Sequence, residues 1–88
     1  MENDGKFILV LNAIKNWCEK DPPYPLGIYQ VQLKTIEELK IFRESGELYY
    51  LINLLVENGY MISKTMGRNP SEQKSYRITI KGINLINK

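Results

Sequence analysis

The spacing of apolar residues changes once along this chain, at Gly59, and that change limits the folds open to it. Ahead of Gly59 the apolar residues recur every three or four positions, the period of an amphipathic helix. Behind it they recur every second position, the period of a half-buried strand. Helices in front and paired strands behind make an α+β domain. With 88 residues the chain has material for one such domain, residues 1–88, whose core must be economical.

In the first segment Phe7, Leu11, Ile14 and Cys18 fall at i, i+4, i+7 and i+11, and Val10 and Trp17 widen the stripe. This predicts a helix over about 5–20, with Asp4 as its N-cap, Cys18 as a small core hydrophobe and Trp17 in the core with its indole N–H near the surface. Asp21-Pro22-Pro23-Tyr24-Pro25 ends it, because each proline lacks a donor and pushes its predecessor toward extended geometry. The linker 21–32 fits a short strand or an irregular loop equally well. Leu33, Ile36, Leu39 and Phe42 predict a second helix over about 33–44, although Thr35 and Glu38 also fit a capping box that would start it later.

Ser45 reads as the N-cap of a third helix over about 46–58, with Leu48, Leu51, Ile52 and Leu55 on one face and Gly59 as its left-handed C-terminal residue. Two strands follow, 61–66 and 74–78, joined by the turn-rich stretch 67–73. Alternation sends Tyr76 and Ile78 one way and Ser75 and Arg77 the other. Thr79 then caps a closing helix over 80–87 that carries Ile83 and Ile86, or Leu85 and Ile86, back onto the body.

Several function classes lose their chemistry here. There is no histidine, hence no imidazole base, no histidine metal ligand and no Ser–His or Cys–His nucleophile pair. Glu37 and Glu38 are adjacent on a helix and diverge by about 100°, so they do not converge on one substrate. No phosphate-cradling glycine loop and no metal-ligand spacing is present. The expectation is a non-enzyme without cofactor or metal. The lone cysteine asks for no oxidising compartment, no apolar run reaches the roughly 18–20 residues of a membrane span, and Met1-Glu2-Asn3-Asp4 is acidic where a signal peptide is basic. A cytoplasmic protein, with no membrane partner, is expected.

Two stretches resemble the winged helix-turn-helix superfamily. Leu48-x3-Ile52-x2-Leu55-x3-Gly59-Tyr60-Met61-Ile62 looks like the end of a winged-helix third helix entering its wing. Tyr76-Arg77-Ile78-Thr79-Ile80-Lys81-Gly82-Ile83-Asn84-Leu85-Ile86 resembles the ending shared by many small bacterial, archaeal and phage winged-helix proteins, in which the threonine caps the closing helix and the glycine lets it pack closely. The resemblance covers residues 7–87 apart from 22–32. It implies a three-helix core, a C-terminal β-hairpin wing over 61–79, a short closing helix, and a transcriptional regulator that holds double-stranded DNA with helix 3 at the major groove and the wing on phosphates. It also allows a homodimer through helix 1 or the terminal helices. The sequence departs from the superfamily in two respects: the spacing from Leu39 to Gly59 is a residue or two short, and the presumed recognition helix lacks cations.

Charge supports a polyanionic partner behind Gly59. Residues 1–60 hold six Lys/Arg against nine Asp/Glu, net −3, whereas residues 61–88 hold six against Glu72 alone, net +5. Lys64, Arg68, Lys74, Arg77 and Lys81 provide the charge, with Asn69, Ser71, Gln73 and Ser75 as hydrogen-bonding neighbours; the plain alternative is a solvated hairpin. On helix 3, steps of about 100° turn Gly46, Tyr50, Asn53 and Glu57 outward, flanked by Tyr49 and Leu54. The candidate DNA contacts are therefore Tyr49, Tyr50, Asn53, Lys64, Arg68, Asn69, Lys74 and Arg77. A second reading keeps the same fold but makes Tyr50 and Leu54 a contact patch for another protein or for a dimer.

Overall fold

The apolar stripe of the first segment winds into helix α1, Asp4–Lys20, and delivers Phe7, Val10, Leu11, Ile14 and Cys18 to the interior. The computed structural model describes residues 4–20, 24–25, 27–65 and 74–87. Behind α1 come strand β1 (Gln30–Gln32), helices α2 (Leu33–Glu38) and α3 (Ser45–Glu57), strands β2 (Met61–Thr65) and β3 (Lys74–Ile78), and helix α4 (Ile80–Ile86). The described residues form a small α+β domain with four helices and a three-stranded antiparallel sheet.

The undecided linker thus ends in a strand. Gln30-Val31-Gln32 turns its one apolar residue into the core and pairs antiparallel with β3, Val31 opposite Tyr76. β3 pairs on its other side with β2, Met61 opposite Ile78, so the order across the sheet is β1-β3-β2. One face of the sheet carries Val31, Met61, Tyr76 and Ile78, all buried. They join the α1 stripe, Ile36 of α2, Leu48, Leu51, Ile52 and Leu55 of α3, and Leu85 of α4 in a single cluster. Trp17 is half-buried against that cluster, as are Leu33, Phe42, Leu54 and Tyr60.

Helix boundaries depart from the sequence reading at several places. The second helix ends at Glu38 instead of 44, because Lys40 takes a left-handed φ of 55°, which no continuing helix accommodates. Leu39 closes the last turn, its amide donating to the Thr35 and Ile36 carbonyls at 3.2 Å each. That helix begins at Leu33 behind Gln32 with no side-chain cap, so Thr35 and Glu38 form no capping box. The third helix includes Ser45, its capping position falls on Glu44, and no side chain caps it. Asp4, expected as the N-cap of α1, already lies inside the helix.

The α3–β2 junction follows the expectation closely. Gly59 has φ 81°, Tyr60 N–H donates to Leu55 O at 2.9 Å, and Gly59 N–H donates to Val56 O at 3.1 Å. That pair of bonds is the Schellman closure, which satisfies carbonyls left open at a helix end. Thr79 caps α4 as predicted, its hydroxyl accepting the Gly82 N–H at 3.2 Å.

Candidate nucleic-acid interface

Strand register, more than composition, decides where the charges of the hairpin go. Alternation along β3 puts Ser75 and Arg77 on the face opposite the core, and pairing brings Lys64 opposite Ser75 and Ile62 opposite Arg77 on β2. On the β1 side the partners are Gln32 and Gln30. The outer face is therefore a grid of two rows, Gln30–Arg77–Ile62 and Gln32–Ser75–Lys64. Lys74 pairs with Thr65 and has the parity of Tyr76 and Ile78, which puts it on the helix side of the sheet, toward the hairpin tip. The expected basic wing is thereby divided between two faces.

Lys64, Lys74 and Arg77 are all exposed, and none forms an ion pair among the described residues. Ser75 is buried, with its hydroxyl donating to the Lys64 carbonyl at 3.3 Å, so it stiffens the strand pair and offers little to a ligand. Lys81 is committed elsewhere. Its ammonium donates to the Asn58 carbonyl at 2.7 Å and lies 4.8 Å from the Tyr60 ring centroid, at the C-terminal end of α3. Arg68 and Asn69, with Ser71 and Gln73, lie outside the described residues.

The outward side of α3 is as the 100° steps predict: Gly46, Tyr50, Asn53 and Glu57 are exposed, Tyr50 most of all among the tyrosines at 60%. Tyr49 is less free. Its hydroxyl donates to the Glu37 carboxylate across from α2, and this hydrogen bond to a nearby negative charge raises the phenol above its ordinary value. Glu47 is held by Lys6 of α1 at 2.9 Å. Leu54 is half-buried against the core and leaves Tyr50 as the main apolar projection on this side. This helix front carries no cation.

At its β1 edge the sheet borders an open groove of about 220 Å³ lined by Trp17, Tyr24, Gln30, Val31, Gln32 and Thr35. Beside it the Cys18 thiol donates to the Gln30 carbonyl at 3.6 Å, and burial pushes that thiol up from its ordinary value, which keeps it protonated and unreactive. Tyr29 is raised in the same way, by desolvation and by Glu19. Among the described residues no group of three potential ligands is arranged to hold a metal, and no helix is long and apolar enough to cross a membrane.

Gln30 and Gln32 are the surface residues that sequence reasoning missed. Their signal was a polar–apolar–polar alternation only three residues long, below what periodicity resolves. No protein-family model, curated protein or solved structure matches this chain.

Proposed function

We propose that this chain is a small winged-helix protein that binds double-stranded DNA and acts as a transcriptional regulator without catalysing a reaction. The observation that carries this reading is the chain order of helix, strand, helix, helix and hairpin, with the hairpin following Gly59 and holding exposed cations free of described acidic partners. The hairpin lies against phosphates, where lysine and arginine release counterions. Tyr50 and Asn53 are the α3 side chains left free to approach base edges, since Tyr49 is engaged by Glu37. No cofactor or metal takes part, and a homodimer would double the cationic surface.

The test is titration with random-sequence duplex DNA at two salt concentrations. Binding that weakens steeply with added salt is the expected result. Absence of binding at low salt overturns the reading. A second reading, a winged-helix adaptor that meets another protein or a second copy through α3, rests on the 60% exposure of Tyr50 on a cation-free surface. In that case Tyr50→Ala with Leu54→Ser abolishes self-association in sedimentation or partner capture, while DNA titration shows nothing.

A further inference from the structure

The outer face of the sheet combines charge, hydrogen-bonding capacity and freedom from acids in a way that neither α3 nor the helix side of the hairpin does. Its two cations are diagonal neighbours: Lys64 faces Ser75, and Arg77 stands two residues further along β3. Diagonal cross-strand neighbours are roughly 7–8 Å apart, close enough for both to grip one stretch of backbone. Arg77 is on the central strand, flanked by Gln30 and Ile62, and its planar fork of donors suits phosphate oxygens. Gln30 and Gln32 add amide donors from a strand far away in sequence. No carboxylate occupies any of the six positions, whereas the α3 surface holds Glu47 and Glu57.

Resting on the DNA-binding reading above, we propose that this outer sheet face is the phosphate-binding surface, with Lys64 and Arg77 as its charges and Gln30 and Gln32 as neutral donors. Lys74, on the opposite face, stands outside it. The surface is then built by β1 as much as by the hairpin, and the cation-free α3 adds nothing to counterion release.

The experiment measures the salt dependence of affinity for random-sequence duplex DNA in wild type, Lys64→Ala/Arg77→Ala, Lys74→Ala and Tyr50→Ala/Asn53→Ala. The substituted residues of these variants are exposed, Gln30 of a further variant, Gln30→Ala/Gln32→Ala, is half-buried, and circular dichroism verifies folding. Loss of two phosphate contacts makes the log–log slope shallower by about 1.8 in the first variant. The Lys74 and α3 variants keep the wild-type slope, and Gln30→Ala/Gln32→Ala weakens binding at unchanged slope. A slope that survives Lys64→Ala/Arg77→Ala but falls with Lys74→Ala, while wild type still binds, overturns the surface and leaves the DNA reading standing. Wild type that ignores DNA at low salt overturns that reading itself. Polyglutamate binding as tightly as DNA would instead assign the face to an acidic protein.

Discussion

The Thr79 hydroxyl donates to the Gly59 carbonyl at 2.6 Å while it accepts the Gly82 amide, so one side chain closes the turn after α3 and starts α4. The same junction is tied by the Thr79 amide, which donates to the Tyr60 carbonyl at 3.0 Å. The base of the hairpin is thus fixed from both ends of its chain, and the outer sheet face inherits that rigidity through β2 and β3.

Removing this side chain has a definite cost. Thr79→Ala loses an N-cap and a second hydrogen bond, for a destabilisation of about 1–2 kcal/mol, whereas Thr79→Ser keeps both groups and stays within a few tenths of wild type. Urea unfolding reads this as a lower midpoint at constant slope. Equal midpoints for wild type and Thr79→Ala would show that solvent replaces both bonds without loss.

Gly82 is small for a steric reason. A Cβ there would run into the Tyr60 carbonyl and lie 2.8 Å from Ile78 Cγ2, both parts of the packed hairpin base. Alanine in a helix interior is favoured over glycine by roughly 0.5–1 kcal/mol, but overpacking costs about 1–3 kcal/mol and wins. Gly82→Ala therefore lowers stability. Gly46→Ala, in α3 with nothing within 4 Å of the added carbon, raises it. Opposite signs for the two alanines in parallel melts are the expected outcome.

Tyr49 and Glu37 give a pH dependence whose sign follows from the proton. The phenol must stay protonated to donate, and the Glu37 hydrogen bond raises its folded pKa above the ordinary 10.0. The contribution is fully present below about pH 10 and is lost as pH rises through the higher folded value. NMR titration of 13C-labelled tyrosine should find Tyr49 ionising above the ordinary tyrosine value of 10.0. Glu37→Gln should bring it back down. Coincident titration of Tyr49 in the two proteins would show that the pair does not persist in solution.

Local signals carried much of this fold. The α3 face, the Gly59 turn, the Thr79 cap and the tight seat of Gly82 depend on residues a few positions apart, so spacing alone specifies them. The end of α2 was illegible because Leu39 and Phe42 keep a helical spacing and Phe42 does pack against the core, yet Lys40 turns left-handed between them. The split of the hairpin cations was illegible for a longer-range reason. Which face Lys64 or Lys74 occupies depends on register with β3, and Gln30 and Gln32 join Arg77 only because a strand more than forty residues earlier pairs with it.

Lys81 shows how a cation read as part of a binding surface serves the fold instead. Its ammonium reaches back from α4 to the Asn58 carbonyl, at the negative end of α3, and covers the Tyr60 ring, which in turn packs on Phe7 at 5.7 Å between centroids. A cation at a helix C-terminus and over a half-buried aromatic contributes about 0.3–1 kcal/mol from each interaction. Lys81→Met keeps an apolar stem and removes the charge with its hydrogen bond to Asn58, so it should lower stability by about 0.5–1.5 kcal/mol, with faster amide exchange at Gly59 and Tyr60. Added salt should narrow the difference between the two proteins, because the charge is screened. A Lys81→Met protein that matches wild type in stability but loses DNA affinity as strongly as Lys64→Ala would return Lys81 to the binding surface.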